Sequence, residues 1–352
     1  MMQYPNHKNM LINCHFKVAV VLLMACFVSL RGWSQSKTNE KAVEPYAAYL
    51  FAYFEGRGAN TEAIRFGLSS DGYHFYALNG NQPVLDNAKI SSTGGVRDPH
   101  ILRGIDGKTF YMVATDMHVA KNGWNPNTAM VLMTSTNLID WKSSIVNIPA
   151  AFETFKDVNR VWAPETIYDK KVGKYMLYWS MRTGQAADII YYAYANKDFT
   201  ALESEPKQLL FSPTKGACID GDIVERNGRF HLFFKTESEG AKIRQAISDH
   251  LTGGYEVQQG IVQLTKEPAE GVGVYKLNNE DGYILMYDVY KNGRYEFTKS
   301  KDLEHFTLVK DMSLDFHPRH GSVISLTSAE AERLASHWMT ADEVVSEVKG
   351  MD

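Results

Sequence analysis

Short apolar stretches cover most of the chain, each stopped by a polar turn, and two such patterns recur in phase. In the first, a strand runs into a Ser, Asp or Asn turn and an aromatic follows. Its copies are Phe66 to Asp71 with Phe75, Leu132 to Asn137 with Trp141, Tyr194 to Asp198 with Phe199, Ala246 to Asp249 with Tyr255, and Phe297 to Asp302 with Phe306. In the second, an apolar strand ends in a glycine turn and an aromatic strand returns. Its copies turn at Asp106-Gly107, Gly173, Asn227-Gly228 and Asp281-Gly282. Asp-Gly and Asn-Gly between apolar runs are strong hairpin signals. Two hairpins per unit make about four strands, the blade of a propeller. Five units predict an all-β, five-bladed β-propeller, whose closure removes exposed sheet edges. A β-sandwich is the rival, but it predicts no in-phase pair of repeats.

The ends depart from this pattern. Val18 to Leu30 is one apolar run behind Lys8 and Lys17. It is shorter than the ~20 residues of a bilayer span and reads as a secretory leader. Gly32-Trp33-Ser34 places small residues for cleavage after Ser34, and Leu23-Met24-Ala25-Cys26 offers lipidation at Cys26 as a lesser alternative. No other segment is apolar enough to span. The division is a signal peptide at 1–34, a linker at 35–46, the propeller at 47–326 and a short C-terminal helical tail at 327–352. In the tail, Thr327 and Glu330 form a capping box ahead of Leu334 and Trp338. The expected location is exported, periplasmic or extracellular. Cys218 alone remains after the leader, reads as a buried small hydrophobe, and leaves no internal disulfide.

Composition narrows the partners. Lys+Arg 37 against Asp+Glu 41 lacks the basic excess of a nucleic-acid binder. Aromatics at 12% suit strands, core packing and sugar faces alike.

Each inner strand opens on a polar segment: Arg97-Asp98-Pro99-His100, Trp162-Ala163-Pro164-Glu165, Ile219-Asp220-Gly221-Asp222 and Ala269-Glu270-Gly271-Val272-Gly273. Inner strands line the channel, so these acids converge on one face. Clustered carboxylates in a desolvated funnel have separated pKa values, as acid/base pairs require.

These segments, with His317-Pro318-Arg319-His320-Gly321, resemble in order and blade spacing those of the glycoside hydrolase family 43 enzymes. These are five-bladed propellers that hydrolyse mainly α-L-arabinofuranosides and β-xylosides with inversion. The resemblance covers roughly 47–326. It implies a general base at Asp98, a residue tuning and orienting the acid at Asp220, and a general acid at Glu270. It puts His320 near the channel centre, where in many members the equivalent holds an ion or water, so calcium is the candidate ion there. No cofactor is required. Gly221, Val272-Gly273 and Glu165 depart from the usual motif residues and bear on which sugar is cut.

Read alone, Asp98 before Pro99 is also a turn initiator, Glu270 an exposed loop acid and Glu165 a structural acid. Strand alternation allows only one of Asp220 and Asp222 to face the channel, and Asp220 is favoured. Trp124 in its Gly-Trp-Asn-Pro loop is expected at the rim; with Trp162, Arg319 and His320 it makes the candidate sugar-binding set. The resemblance further implies a raised Glu270 pKa, sustained by Asp220, and base and acid ~6.5–9.5 Å apart. The expected partner is an oligo- or polysaccharide. A non-catalytic glycan-binding propeller, a galactoside- or fructoside-cleaving propeller and a sialidase stay open as rivals; the fructoside reading fits less well because the chain has Gly95-Val96-Arg97-Asp98-Pro99, and the sialidase because it has five units.

Overall fold

The computed structural model describes residues 44–56, 60–238 and 240–339. The expected leader and most of the linker lie outside them. Among the described residues no helix is long and apolar enough to cross a membrane.

Five antiparallel sheets form the blades. Blades 2 to 5 run outward from inner strands Val96–Arg103, Val158–Asp169, Cys218–Arg226 and Glu270–Lys276, each in a four-stranded order matching the sequence order. Blade 1 is built from both ends of the propeller. Its inner strand is Gly321–Thr327, paired with Tyr46–Tyr53 from Tyr46↔Thr327 to Tyr53↔Gly321. Ser313–Leu314 adds to its outer edge in parallel with His74–Ala77. The inner strands touch one another in a closed cycle.

The middle strands read as unbroken apolar runs because both faces are covered. Leu50 and Ala52 face the cluster between blades 1 and 2, while Tyr49, Phe51 and Tyr53 face the one between blades 5 and 1. Likewise Leu285 and Tyr287 pack against blade 4, and Ile284 and Met286 against blade 1. Five such clusters, one per blade junction, replace a single core.

The first repeat is a real structural unit. Ser69, Ser135 and Ser300 each accept two backbone amides of the following turn through Oγ, and Asp71, Asn137 and Asp302 each cap two more. Side chains thus satisfy turn amides that no strand reaches. The capping box of Thr327 and Glu330 is present on one helix, Ser328–Trp338, which buries Leu334 against blade 1. Residues beyond 339, where the sequence allowed a second helix, lie outside the described residues.

Candidate active site

All four inner strands of blades 2 to 5 break register at the same place. The ladders skip between Arg97 and His100, Trp162 and Glu165, Ile219 and Asp222, and Glu270 and Gly273. The bulged residues have left-handed backbones: Asp98 at φ 51°, Ala163 at 45°, Asp220 at 54° and Gly271 at 59°. Non-glycine residues there carry a steric cost of about 1–2 kcal/mol, and such strain gathers at functional sites. Bulges re-aim side chains, and here they turn the acids inward.

Asp98, Asp220, Glu270, His320, Trp124 and Trp162 all line one funnel of about 470 Å³. Three carboxylates far apart in sequence therefore share a floor. Asp98 Oδ2 accepts from the Thr115 hydroxyl at 2.8 Å, and its Oδ1 stands 3.0 Å from His320 Nδ1. Asp220 Oδ2 accepts from the Gly271 amide at 2.9 Å. Glu270 is held by Lys235 Nζ at 2.8 Å and Arg319 Nη2 at 2.8 Å, with His320 Nε2 at 3.4 Å. His320 thus stands between Asp98 and Glu270, with both ring nitrogens buried. Gly271 makes room for that ring, since a Cβ there would lie 2.1 Å from His320 Cδ2.

The electrostatics differ from the sequence expectation at Glu270. Burial pushes its carboxyl up, but His320 and Lys235 outweigh burial and hold it well below the usual carboxylate range. The expectation of a raised value counted the two neighbouring carboxylates and missed the cations facing them. Asp220 instead is raised, by burial first, against His320 and Lys235. Asp98 is lowered: burial opposes ionisation, and His320, Arg97 and the Thr115 hydroxyl favour it more. His320 resists burial through Asp220, Asp98 and Glu270, which push it up to about 10. The free site therefore keeps a proton on the imidazole.

Two placements need correction. The alternation of Asp220 and Asp222 does not hold, because the bulge between Ile219 and Asp222 turns both inward. Asp222 meets His100 and Glu165 deeper in the channel and accepts from the Val274 amide at 2.5 Å. Glu165 accepts from the Tyr178 hydroxyl at 2.7 Å. In this second cluster burial dominates: Glu165 is raised well above its usual value and Asp222 to about 7, while His100 falls to about 3. Arg319, expected to touch sugar, spends its guanidinium on Glu270 and on Asp288, whose Oδ2 lies 2.6 Å from Nε.

Asp220, Glu270 and His320 bring donor atoms within 4.8 Å of one another, as do His100, Glu165 and Asp222. Calcium takes ~6–8 oxygens. Each cluster offers only two carboxylates and an imidazole. That donor set does not fit calcium.

The walls add groups that sequence reading missed. Lys235, Arg97, Arg160, Arg182, Asp188 and Glu237 all line the funnel. Their one signal was a charge inside or beside an apolar strand, as in Phe233-Phe234-Lys235. Trp124 is 43% exposed, which fits the expected rim position, with Trp162 5.8 Å from it ring to ring.

Residues 44–332 match a family model of glycoside hydrolase 43-related proteins, described as a probable glycosyl hydrolase domain. The chain is 25% identical over 308 residues to an α-L-arabinofuranosidase of Bifidobacterium longum subsp. longum, covering 72% of this chain and 28% of that protein. It thus spans about a quarter of that relative. Among solved structures, a xylan β-1,4-xylosidase of Bacillus halodurans superposes with a TM-score of 0.55 at 15% identity, over 79% of this chain and 57% of the other. An exo-1,5-α-L-arabinanase from a bovine ruminal metagenomic library gives 0.53 at 17%, over 75% and 93%. At those identities the structures share the fold alone.

Proposed function

The chain belongs to the glycoside hydrolase 43-related family, and on that premise we propose that it cleaves arabinofuranosidic or xylosidic O-glycosidic bonds in plant-type polysaccharides, with inversion. The observation that carries this reading is the placement of Asp98 and Glu270 on the two sides of one buried imidazole, at the floor of a sugar-sized funnel. Asp98, ionised and oriented by Thr115, activates water. Glu270 protonates the leaving oxygen from the other side. Because Glu270 is ionised in the free protein, its proton comes from His320, whose Nε2 is 3.4 Å away. Asp220, fixed by the Gly271 amide, orients the Glu270 segment. The chain acts outside the cytoplasm, delivered by the Val18–Leu30 leader, with lipidation at Cys26 as the lesser route.

The three cations on Glu270 favour one second reading, a propeller that binds glycan without cutting it. A panel of aryl α-L-arabinofuranosides, β-xylosides and β-galactosides separates the two. Hydrolysis is expected, with the opposite anomer seen first by NMR before mutarotation. Release of the substrate's own anomer would overturn the inverting roles. Glycan binding with no hydrolysis of any member would favour the second reading.

A further inference from the structure

Blade 3 carries an arrangement that neither the fold nor the proposed chemistry requires. Arg160 and Arg182 are direct cross-strand partners, and both line the funnel. Like charges directly opposite one another destabilise a sheet pair. One carboxylate is ion-paired here: Asp188 Oδ2 meets Arg160 Nη1 at 2.8 Å, and the Arg182 charge also acts on it. Among the described residues Arg182 has no ion pair, and its hydrogen bonding is one contact of 3.3 Å from Nη2 to Asn125 Oδ1. Arg160 Nε shares that same oxygen, also at 3.3 Å. A neutral amide oxygen thus bridges the two guanidinium ions, and the Arg182 Nε is buried without a partner. The other cations on this wall are matched: Arg97 pairs with Glu62 at 3.0 Å, and Lys235 with Glu237 and Glu270 at 2.7 and 2.8 Å.

The surroundings are built for a sugar. The Arg160 guanidinium lies 3.7 Å over the Trp162 ring, which fixes both groups, and Trp124 stands at the rim beyond. The wall therefore presents aromatic surface, a fixed cation and a second cation with no ion pair of its own. Planar guanidinium forks favour carboxylates and other oxyanions over neutral hydroxyls, and they gain most where water is scarce.

We propose that the Arg160–Arg182 pair is a subsite for an oxyanion carried by the glycan, a uronate carboxylate or a sulfate ester, so that the chain selects acidic oligosaccharides. This rests on the reading above that a glycan occupies the funnel, but not on its being cut. The oxyanion supplies the second negative charge for which this wall holds two arginines and one aspartate.

Binding measured by NMR titration tests this without turnover. The probes are two matched pairs: methyl β-D-glucuronide with methyl β-D-glucoside, and galactose 6-sulfate with galactose. In at least one pair the charged member should bind about fivefold or more tightly at low salt, and that preference should shrink at high ionic strength. A carboxylate-only or a sulfate-only preference identifies the source. Arg182→Gln should remove the preference and Arg182→Lys should keep part of it. Arg182→Gln should also hold or raise the melting temperature, because it relieves a like-charge pair; a merely structural arginine would lower it. Equal affinity within both pairs, or a preference that survives Arg182→Gln, would overturn the subsite. Charged preference without hydrolysis of any aryl glycoside would leave the subsite standing and remove the enzymatic reading. Hydrolysis without charged preference would do the reverse.

Discussion

His320 is the residue on which the floor's charge balance turns. With its pKa at about 10, it carries the proton that Glu270 lacks. Two consequences follow for pH. kcat/KM should fall on the alkaline side as pH rises through about 10, with the deprotonation of His320. On the acid side it should fall only below the usual carboxylate range, where Asp98 protonates. His320→Gln should lower turnover by about 10²-fold or more, in keeping with loss of a positioned proton donor. Stability moves with the same proton. The folded value lies above the ~6.5 of a free imidazole, so the ion pairs stabilise fully below ~6.5 and fade as pH approaches about 10. The melting-temperature gap between wild type and His320→Gln should close over that window. The carboxylates Asp98, Asp220 and Glu270 were legible because each sits in a short motif at an inner-strand entry. The grip of Lys235 and Arg319 on Glu270 was not, since Lys235 comes from a strand of the neighbouring blade and Arg319 from the loop before the closing strand, and no local pattern links them.

The repeated bulge is the element that converts strands into a site. Without it, alternation would send every second acid away from the channel. The blades, hairpins and Asx turns were legible because each is a local pattern of apolar runs and turn residues. The bulges were not, because a register break depends on the neighbouring strand as well as on the sequence that carries it. Asp98-Pro99, Ala163-Pro164, Asp220-Gly221 and Glu270-Gly271 gave only the hint that a Pro or Gly stands beside each break. Gly271 is the strictest of the four. Its φ of 59° favours glycine, and a Cβ would meet the His320 ring at 2.1 Å. Gly271→Ala should cost about 2–4 kcal/mol by urea unfolding, joining left-handed strain to a forced displacement. Turnover should fall with it, because His320 must move off Asp98 and Glu270. Ala163→Gly is the matched control. It removes a methyl from a left-handed position and should change stability by no more than about 1 kcal/mol, in the stabilising direction.

At the scale of the whole molecule, one strand both closes the ring and completes the site. Gly321–Thr327 pairs with Tyr46–Tyr53 to finish blade 1, and His320 directly precedes it. The five-unit repeat made a closed ring legible, but the repeat does not say which strand closes it. Closure joins residues from the two ends of the propeller, the least local contact in the fold. Two truncations separate the roles of strand and helix. Ending the chain at Thr327 removes the helix, and with it buried Leu334 and the bidentate pair of Glu330 with Arg103 at 2.6 and 2.7 Å. Losing a fully buried leucine together with a part-buried ion pair should cost several kcal/mol, yet every blade keeps its inner strand. A lowered but cooperative melt, with residual glycosidase activity, is expected. Ending the chain at His320 removes Leu326 from the core and uncovers the whole length of Tyr46–Tyr53 as a free edge. An open edge in a ring held by five blade-junction clusters exposes two of those clusters to water and invites pairing with other chains. That chain should show no cooperative transition by calorimetry, should bind a hydrophobic dye and should elute as aggregate. A sharp melt near that of the Thr327 truncation would mean that the ring is held by blade-to-blade packing alone and that the closing strand serves only to deliver His320.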